Sequence, residues 1–220
     1  MRNVERLDEP ESLTRNADKW TEMLEQQIHE RGSYANVADK YKTRYNQRDV
    51  REQLIKMYDD RCCYCESKVS VQSYGRIEHL RPRAKFPEQT YSWDNMHWSC
   101  ERCNGVKGDS WDEDAPVLDP TRDNICDYIT ENISTGEYEA VDGNNRGEAT
   151  IQSAGLNRKE LCSARREIKV RLVKLYRQFL CFGDIGGFFS YCEDSISNVP
   201  YISTYEKVLS ELRQYSKCRT

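Results

Sequence analysis

The sequence predicts an α+β chain, mostly helical, wrapped around a small mixed centre. Three observations carry this. Apolar residues recur at helical spacing near both ends, short β-type segments replace that rhythm between residues 68 and 99, and two Cys-x-x-Cys hooks bracket the change. At 220 residues, the chain has room for one elaborated domain or two small ones. We divide it into a helical region 1–60, a cysteine-bracketed core 61–120, and a region 121–220 with a hairpin and a basic helix.

The first element is a helix over 17–31, with Trp20, Met23, Leu24 and Ile28 on one face and Asn16 or Asp18 as caps. Val50, Leu54, Ile55, Met57 and Tyr58 mark a second helix that delivers the chain to the first hook. Two β-type segments, 68–72 and 74–78, flank a polar turn. A short strand over 96–99 and a helix over 101–108 ended by glycine follow. Residues 127–133 and 138–141 form a hairpin around Ser-Thr-Gly. Asn157 caps a helix over 158–182, Gly183, Gly186 and Gly187 break it, and 205–215 is the last helix.

Net charge is −4, from 33 Lys and Arg against 37 Asp and Glu, which does not advertise a polyanion-binding protein. The sum hides an asymmetry. Twelve acids face two bases between residues 109 and 148, whereas eight bases face two acids between 158 and 177. A smaller basic knot, Arg76, Arg81, Arg83 and Lys85, lies beside the hooks. Each patch has two readings, a track for a phosphate backbone or a solvated face. No apolar run approaches the ~18 residues of a membrane span, and the first residues lack the apolar core of a signal peptide, so the expected location is the cytoplasm.

Ten cysteines divide into a clustered set and a scattered one. Cys62-x-x-Cys65 and Cys100-x-x-Cys103, with 34 residues between the pairs, give four thiolates suited to a tetrahedral zinc site. A dithiol switch is the competing account, and two pairs flanking one polar segment favour zinc. Four cysteines leave no open position, so the zinc is structural and any catalysis lies elsewhere. Cys63 is a packed or spare thiol. Cys126, Cys162, Cys181, Cys192 and Cys218 read as reduced thiols.

Between and beside the hooks stand Glu78-His79, Asn95 in Trp-Asp-Asn, Asn104 directly after Cys103, and Lys107 in Asn-Gly-Val-Lys-Gly. This order resembles the HNH, or ββα-metal, endonucleases over about Arg61 to Asp109. More narrowly, the whole chain resembles the HNH subunit of Septu-type and retron-associated anti-phage systems, through Trp20, Leu118-Asp119-Pro120, Ala149-Thr150-Ile151 and Gly155-Leu156-Asn157. The resemblance implies a nuclease acting on nucleic acid, with DNA favoured and RNA or tRNA open, together with an ABC- or SMC-like ATPase and, in the retron setting, a reverse transcriptase and its nucleic acid.

It further implies that His79 is the general base and that Asn95 orients it through its amide or carbonyl. Glu78 and Asn104 are oxygen ligands suited to Mg2+ or Mn2+. Lys107, Arg81 and Arg83 are expected at the substrate phosphate. His97 is expected to pack, and His29 to be solvated. Two departures are visible: Asn104 stands where many relatives carry His, and Glu78 where Asp is more frequent. The rival readings are a non-catalytic four-cysteine module binding nucleic acid or protein, and a zinc deaminase. The deaminase is discounted because the order here is Glu-His, and Ser99 rather than Pro precedes the second hook.

Overall fold

The computed structural model describes residues 1–72 and 74–217, so Cys218 lies outside the described residues. The architecture is α+β, with helices at both ends and two small antiparallel sheets between them. Helix α1 (Glu11–Arg31) packs on α2 (Arg48–Tyr58), and α2 leads straight into the first cysteine hook. Strands β1 (Arg76–His79) and β2 (Met96–Ser99) pair antiparallel, with Ile77 opposite Trp98 and His79 opposite Met96. Helix α3 (Glu101–Lys107) follows β2 directly and contacts β1, which completes the ββα unit.

Beyond it come the hairpin β3 (Ile129–Asn132) and β4 (Glu137–Ala140), then α4 (Asn145–Ser153), α5 (Lys159–Cys181), α6 (Ile185–Ser195) and α7 (Ile202–Lys217). One apolar cluster runs from Leu13 and Leu54 through Trp98 and the hook cysteines to Ile151 and Leu161. It therefore joins all three of the expected segments. A smaller cluster, with Leu172, Tyr176, Phe188 and Leu209, is confined to α5–α7 and the end of the hairpin.

Several expected elements differ, each for a local reason. Helix α1 begins six residues before 17, immediately after Pro10, and neither Asn16 nor Asp18 caps it. Its first turn is served from outside by Asp49 of α2, which accepts from the Ser12 backbone N–H at 2.9 Å and the Ser12 hydroxyl at 2.8 Å. Residues 69–72 form a helical turn, not a strand. There Asp60 supplies acceptors to the Val69 and Ser70 N–H groups, and Lys68 makes only an isolated bridge to Arg61.

Asn157 does not cap α5. Its side chain instead accepts from the Tyr138 N–H at 2.7 Å and donates to the Tyr138 carbonyl at 2.8 Å, bonding β4 to the chain entering the helix. The long helix does end as expected, at Cys181 before Gly183, and a new helix follows at once. Gly183 turns at φ 72° and Asp184 caps α6 by accepting from Gly187 N–H, so Gly186 and Gly187 lie within its first turn.

The outer motifs also meet in space. The Leu118 N–H donates to the hydroxyl of Thr150, a side chain wholly removed from solvent. Gly136 turns the hairpin at φ 73°, and a Cβ there would run into the Cys162 carbonyl. None of the helices among the described residues is long and apolar enough to cross a membrane.

Asn157→Ala removes both bonds to Tyr138 and is expected to cost about 1–2 kcal/mol. Thermal unfolding should show a midpoint a few degrees lower, and an unchanged midpoint would mean that the Asn157 bridge contributes nothing.

Candidate metal centre and active site

Cys62, Cys65, Cys100 and Cys103 are all buried, and their ligand atoms lie within 4.8 Å of one another. The Cys65 and Cys100 sulfurs are 3.9 Å apart, close to the ~3.8 Å edge of a tetrahedron with 2.3 Å zinc–sulfur bonds. The first hook sits in a turn made by left-handed Asp59, Asp60 and Glu66, and the Cys63 N–H donates to the Trp98 carbonyl at 2.7 Å, tying that turn to β2. The second hook spans the β2–α3 junction, where the Cys100 sulfur accepts from the Cys103 N–H. Burial pushes the Cys62 thiol well above its usual range, so a dication is what makes four ionised sulfurs tolerable here. The donor set fits zinc.

Strand β1 and helix α3 bring the polar residues together. Glu78 is buried, and its carboxylate accepts from the Tyr64 hydroxyl at 3.1 Å, from the Lys107 ammonium at 2.8 Å and from the Asn104 amide. Burial raises its pKa, and Lys107 acts in the opposite direction. His79 is buried beside it. Its Nε2 lies 2.9 Å from the Thr90 carbonyl oxygen, which can only accept, so Nε2 carries the hydrogen and Nδ1 keeps the lone pair. Tyr45 packs edge-on against the imidazole at 4.5 Å. Burial, with Arg83 and Lys107 adding positive charge, lowers the imidazole pKa to about 3, so the ring is neutral at physiological pH.

Glu78, His79 and Asn104 line one cavity of about 460 Å3. Arg83 lines it too, donating to the Lys42 carbonyl at 2.9 Å and lying over the Tyr45 ring. Arg51, Tyr45 and Arg76, the last paired to Glu101, line it as well, and the sequence did not single out Arg51 or Tyr45. Arg51 belongs to an otherwise ordinary amphipathic helix, and Tyr45 to a polar stretch without a motif.

Three expected roles change. Lys107 is 2% exposed and divides its ammonium between Glu78 and the His79 carbonyl at 3.0 Å, so it faces inward. Arg81 does not line the cavity that holds His79; its guanidinium lies over Phe86 and Trp111. Asn95 does not bond His79 through its amide. Its Oδ1 accepts from the Arg81 N–H at 2.8 Å, and its Nδ2 donates to the carbonyls of Arg81 and Gln89 at 3.0 and 3.2 Å. Asn95 thus joins the segment after β1 to the loop that supplies Thr90, the partner of His79.

His97 is fully buried and bonded to the Tyr58 hydroxyl at 2.6 Å, and His29 is exposed. In the basic helix, Arg165 is buried against Tyr138. Arg158 donates to the Cys103 sulfur at 3.4 Å, so both are structural and neither belongs to a free patch.

Residues 62–110 match the family model described as HNH endonuclease. The chain therefore carries an HNH-family domain, and the cysteine hooks and the Glu78–Asn104 site fall inside it. Its relatives include two proteins named Septu protein PtuB. The one from Bacillus mycoides (strain KBAB4) is 30% identical over 154 residues, covering 56% of this chain and 52% of that protein. The one from Bacillus thuringiensis is 33% identical over 81 residues, covering 36% of this chain and 32% of that protein. The chain thus spans about half the length of the first and a third of the second.

Cys100→Ser is expected to lower bound zinc from about one per chain to near zero and to cost solubility, whereas Cys63→Ser keeps the metal. Elemental analysis of the purified variants reads both, and a folded, zinc-free Cys100→Ser protein would remove the structural role. Lys107→Met leaves Glu78 buried without its counter-charge and is expected to destabilise by about 3–5 kcal/mol. Glu78→Gln in the same chain should recover part of that loss in denaturant unfolding.

Proposed function

We propose that the chain is a metal-dependent HNH endonuclease that hydrolyses phosphodiester bonds in nucleic acid, and that it is the effector nuclease of a Septu-type anti-phage complex with an ABC- or SMC-like ATPase. The observation that carries the catalytic reading is the tautomer of His79. The Thr90 carbonyl holds the proton on Nε2, which leaves Nδ1 unprotonated, with its lone pair free, on a residue that lines the same cavity as Glu78 and Asn104.

In this reading Nδ1 takes a proton from water as the water oxygen attacks phosphorus, and the bond to the departing sugar oxygen breaks. Arg83, with Arg51 and Arg76, holds the phosphate oxygens. The oxygens that Lys107 leaves to a hard cation are Glu78 Oε2 and the Asn104 amide oxygen. These residues would hold Mg2+ or Mn2+, which would supply charge stabilisation for the phosphoryl group. Tyr45 and Thr90 fix the imidazole plane, and Asn95 acts through the backbone on either side.

The Septu assignment is supported by the two named relatives and by the outer motifs; the ATPase partner is what the family resemblance implies, and DNA is the favoured substrate. A second reading, a non-catalytic zinc module, is supported by one feature, the ion pair that already neutralises Glu78.

His79→Ala is expected to abolish cleavage of plasmid under Mg2+ while zinc content and folding persist. Equal nicking by the parent chain and the variant would decide for the non-catalytic module. Because the imidazole titrates near 3 rather than 6.5, kcat/KM should stay on a plateau as pH falls from 7.5 through 6. An acid limb centred near 6.5 would show His79 to be solvated during turnover.

A further inference from the structure

A second cavity, of about 720 Å3, is lined by Leu80 and Arg81, the two residues that follow His79 in the chain. Arg81 and Trp111 line it. The Arg81 guanidinium carbon lies 5.5 Å from the ring centres of both Trp111 and Phe86, and the two rings meet edge to face at 5.6 Å and 76°. Arg81 is exposed, and among the described residues its guanidinium is held by rings and not by a carboxylate. Its backbone is pinned on both sides by the Asn95 amide, which fixes where this side chain leaves the strand.

The two cavities differ in chemistry. The first presents Arg51 and Arg83, which suit phosphate, together with Arg76 paired to Glu101 at 2.6 Å and the carboxylates of Glu78 and Asp109. The second sets Glu88 and Glu113 beside its aromatic wall, while Asp94 and Asp123 are neutralised by Arg122 and Arg146. Free carboxylates repel phosphate and accept hydrogen bonds from the exocyclic amino groups of bases, and a guanidinium held over aromatic rings is a stacking surface for a neutral π-system. Residues 79 and 81 are separated by at most ~7 Å of extended chain, so this surface lies within reach of the nucleotide that flanks a phosphate at His79.

We propose that Arg81, Trp111 and Phe86 form a platform on which one unpaired nucleobase next to the scissile phosphate stacks, so that the substrate is single-stranded or locally opened nucleic acid. A base inside a duplex has both faces covered by its neighbours and cannot use such a surface. The proposal rests on the nuclease reading for the position of the phosphate, and its test is read by binding alone.

The test titrates full-length His79→Ala chain in Mg2+ against fluorescein-labelled 12-mers, one single-stranded DNA, one single-stranded RNA and one DNA duplex, followed by anisotropy. Trp111→Ala or Arg81→Ala, added to that background, should weaken single-strand binding about tenfold and leave duplex binding unchanged. Trp111→Phe should restore most of the loss. The DNA and RNA arms show which backbone the site accepts. The platform is overturned if both alanine variants bind single strands as tightly as the background, if duplex binding falls in parallel, if Trp111→Phe is as weak as Trp111→Ala, or if the background chain binds no single strand. Plasmid cleavage by the His79-containing chain is scored separately, so loss of that activity sinks the nuclease reading without deciding the platform.

Discussion

Everything at the centre of this chain depends on four sulfur atoms being held together. A two-stranded ribbon of four-residue strands is marginal by itself, and β1 and β2 are that short, with only seven residues in α3. The hooks cross-link the turn after α2 to the β2–α3 junction and close the 34 residues between them, which removes much of the conformational freedom that would otherwise oppose the fold. Main-chain bonds then extend the restraint. Cys63 reaches Trp98, and buried Arg61, one residue before the hook, donates to the carbonyls of Ser197 and Val199 at 2.7 and 2.8 Å. The metal centre is thereby tied to the C-terminal helices as well as to the strands.

Within that frame, the polar site is a balance of desolvation against pairing. Glu78 and Lys107 are both nearly inaccessible to solvent, and each is costly to bury alone. Paired, they set the height of α3 over β1, because Lys107 also holds the His79 carbonyl. The same burial keeps the imidazole neutral. Charge neutrality in the interior and an unprotonated imidazole nitrogen beside the cavity are two results of one packing arrangement.

Much of this was legible in the sequence, and the failures share a cause. The zinc ligands follow from spacing, since two hooks have few other uses. Glu78 and His79, between the hooks, and Asn104, directly after the second, stand out through the order that resembles the HNH family, and the structure puts all three on one cavity. What could not be read were partners supplied across the fold. Asp49 serves the start of α1 from another helix, Asn157 spends its amide on Tyr138, and Asn95 holds Arg81 where contact with His79 was expected. Lys107 looks like any lysine at a helix end until burial shows which way it turns. Arg51 and Tyr45 lie on elements whose local pattern says only helix and loop.

The bond from Arg158 to the Cys103 sulfur has a chemical consequence of its own. A guanidinium placed against a metal thiolate withdraws electron density from that sulfur and screens part of the negative charge that a dication with four thiolates retains. The cluster is therefore electronically lopsided. With zinc bound, the Cys103 sulfur, on the side where α5 begins, would be a weaker nucleophile than it would be without that guanidinium.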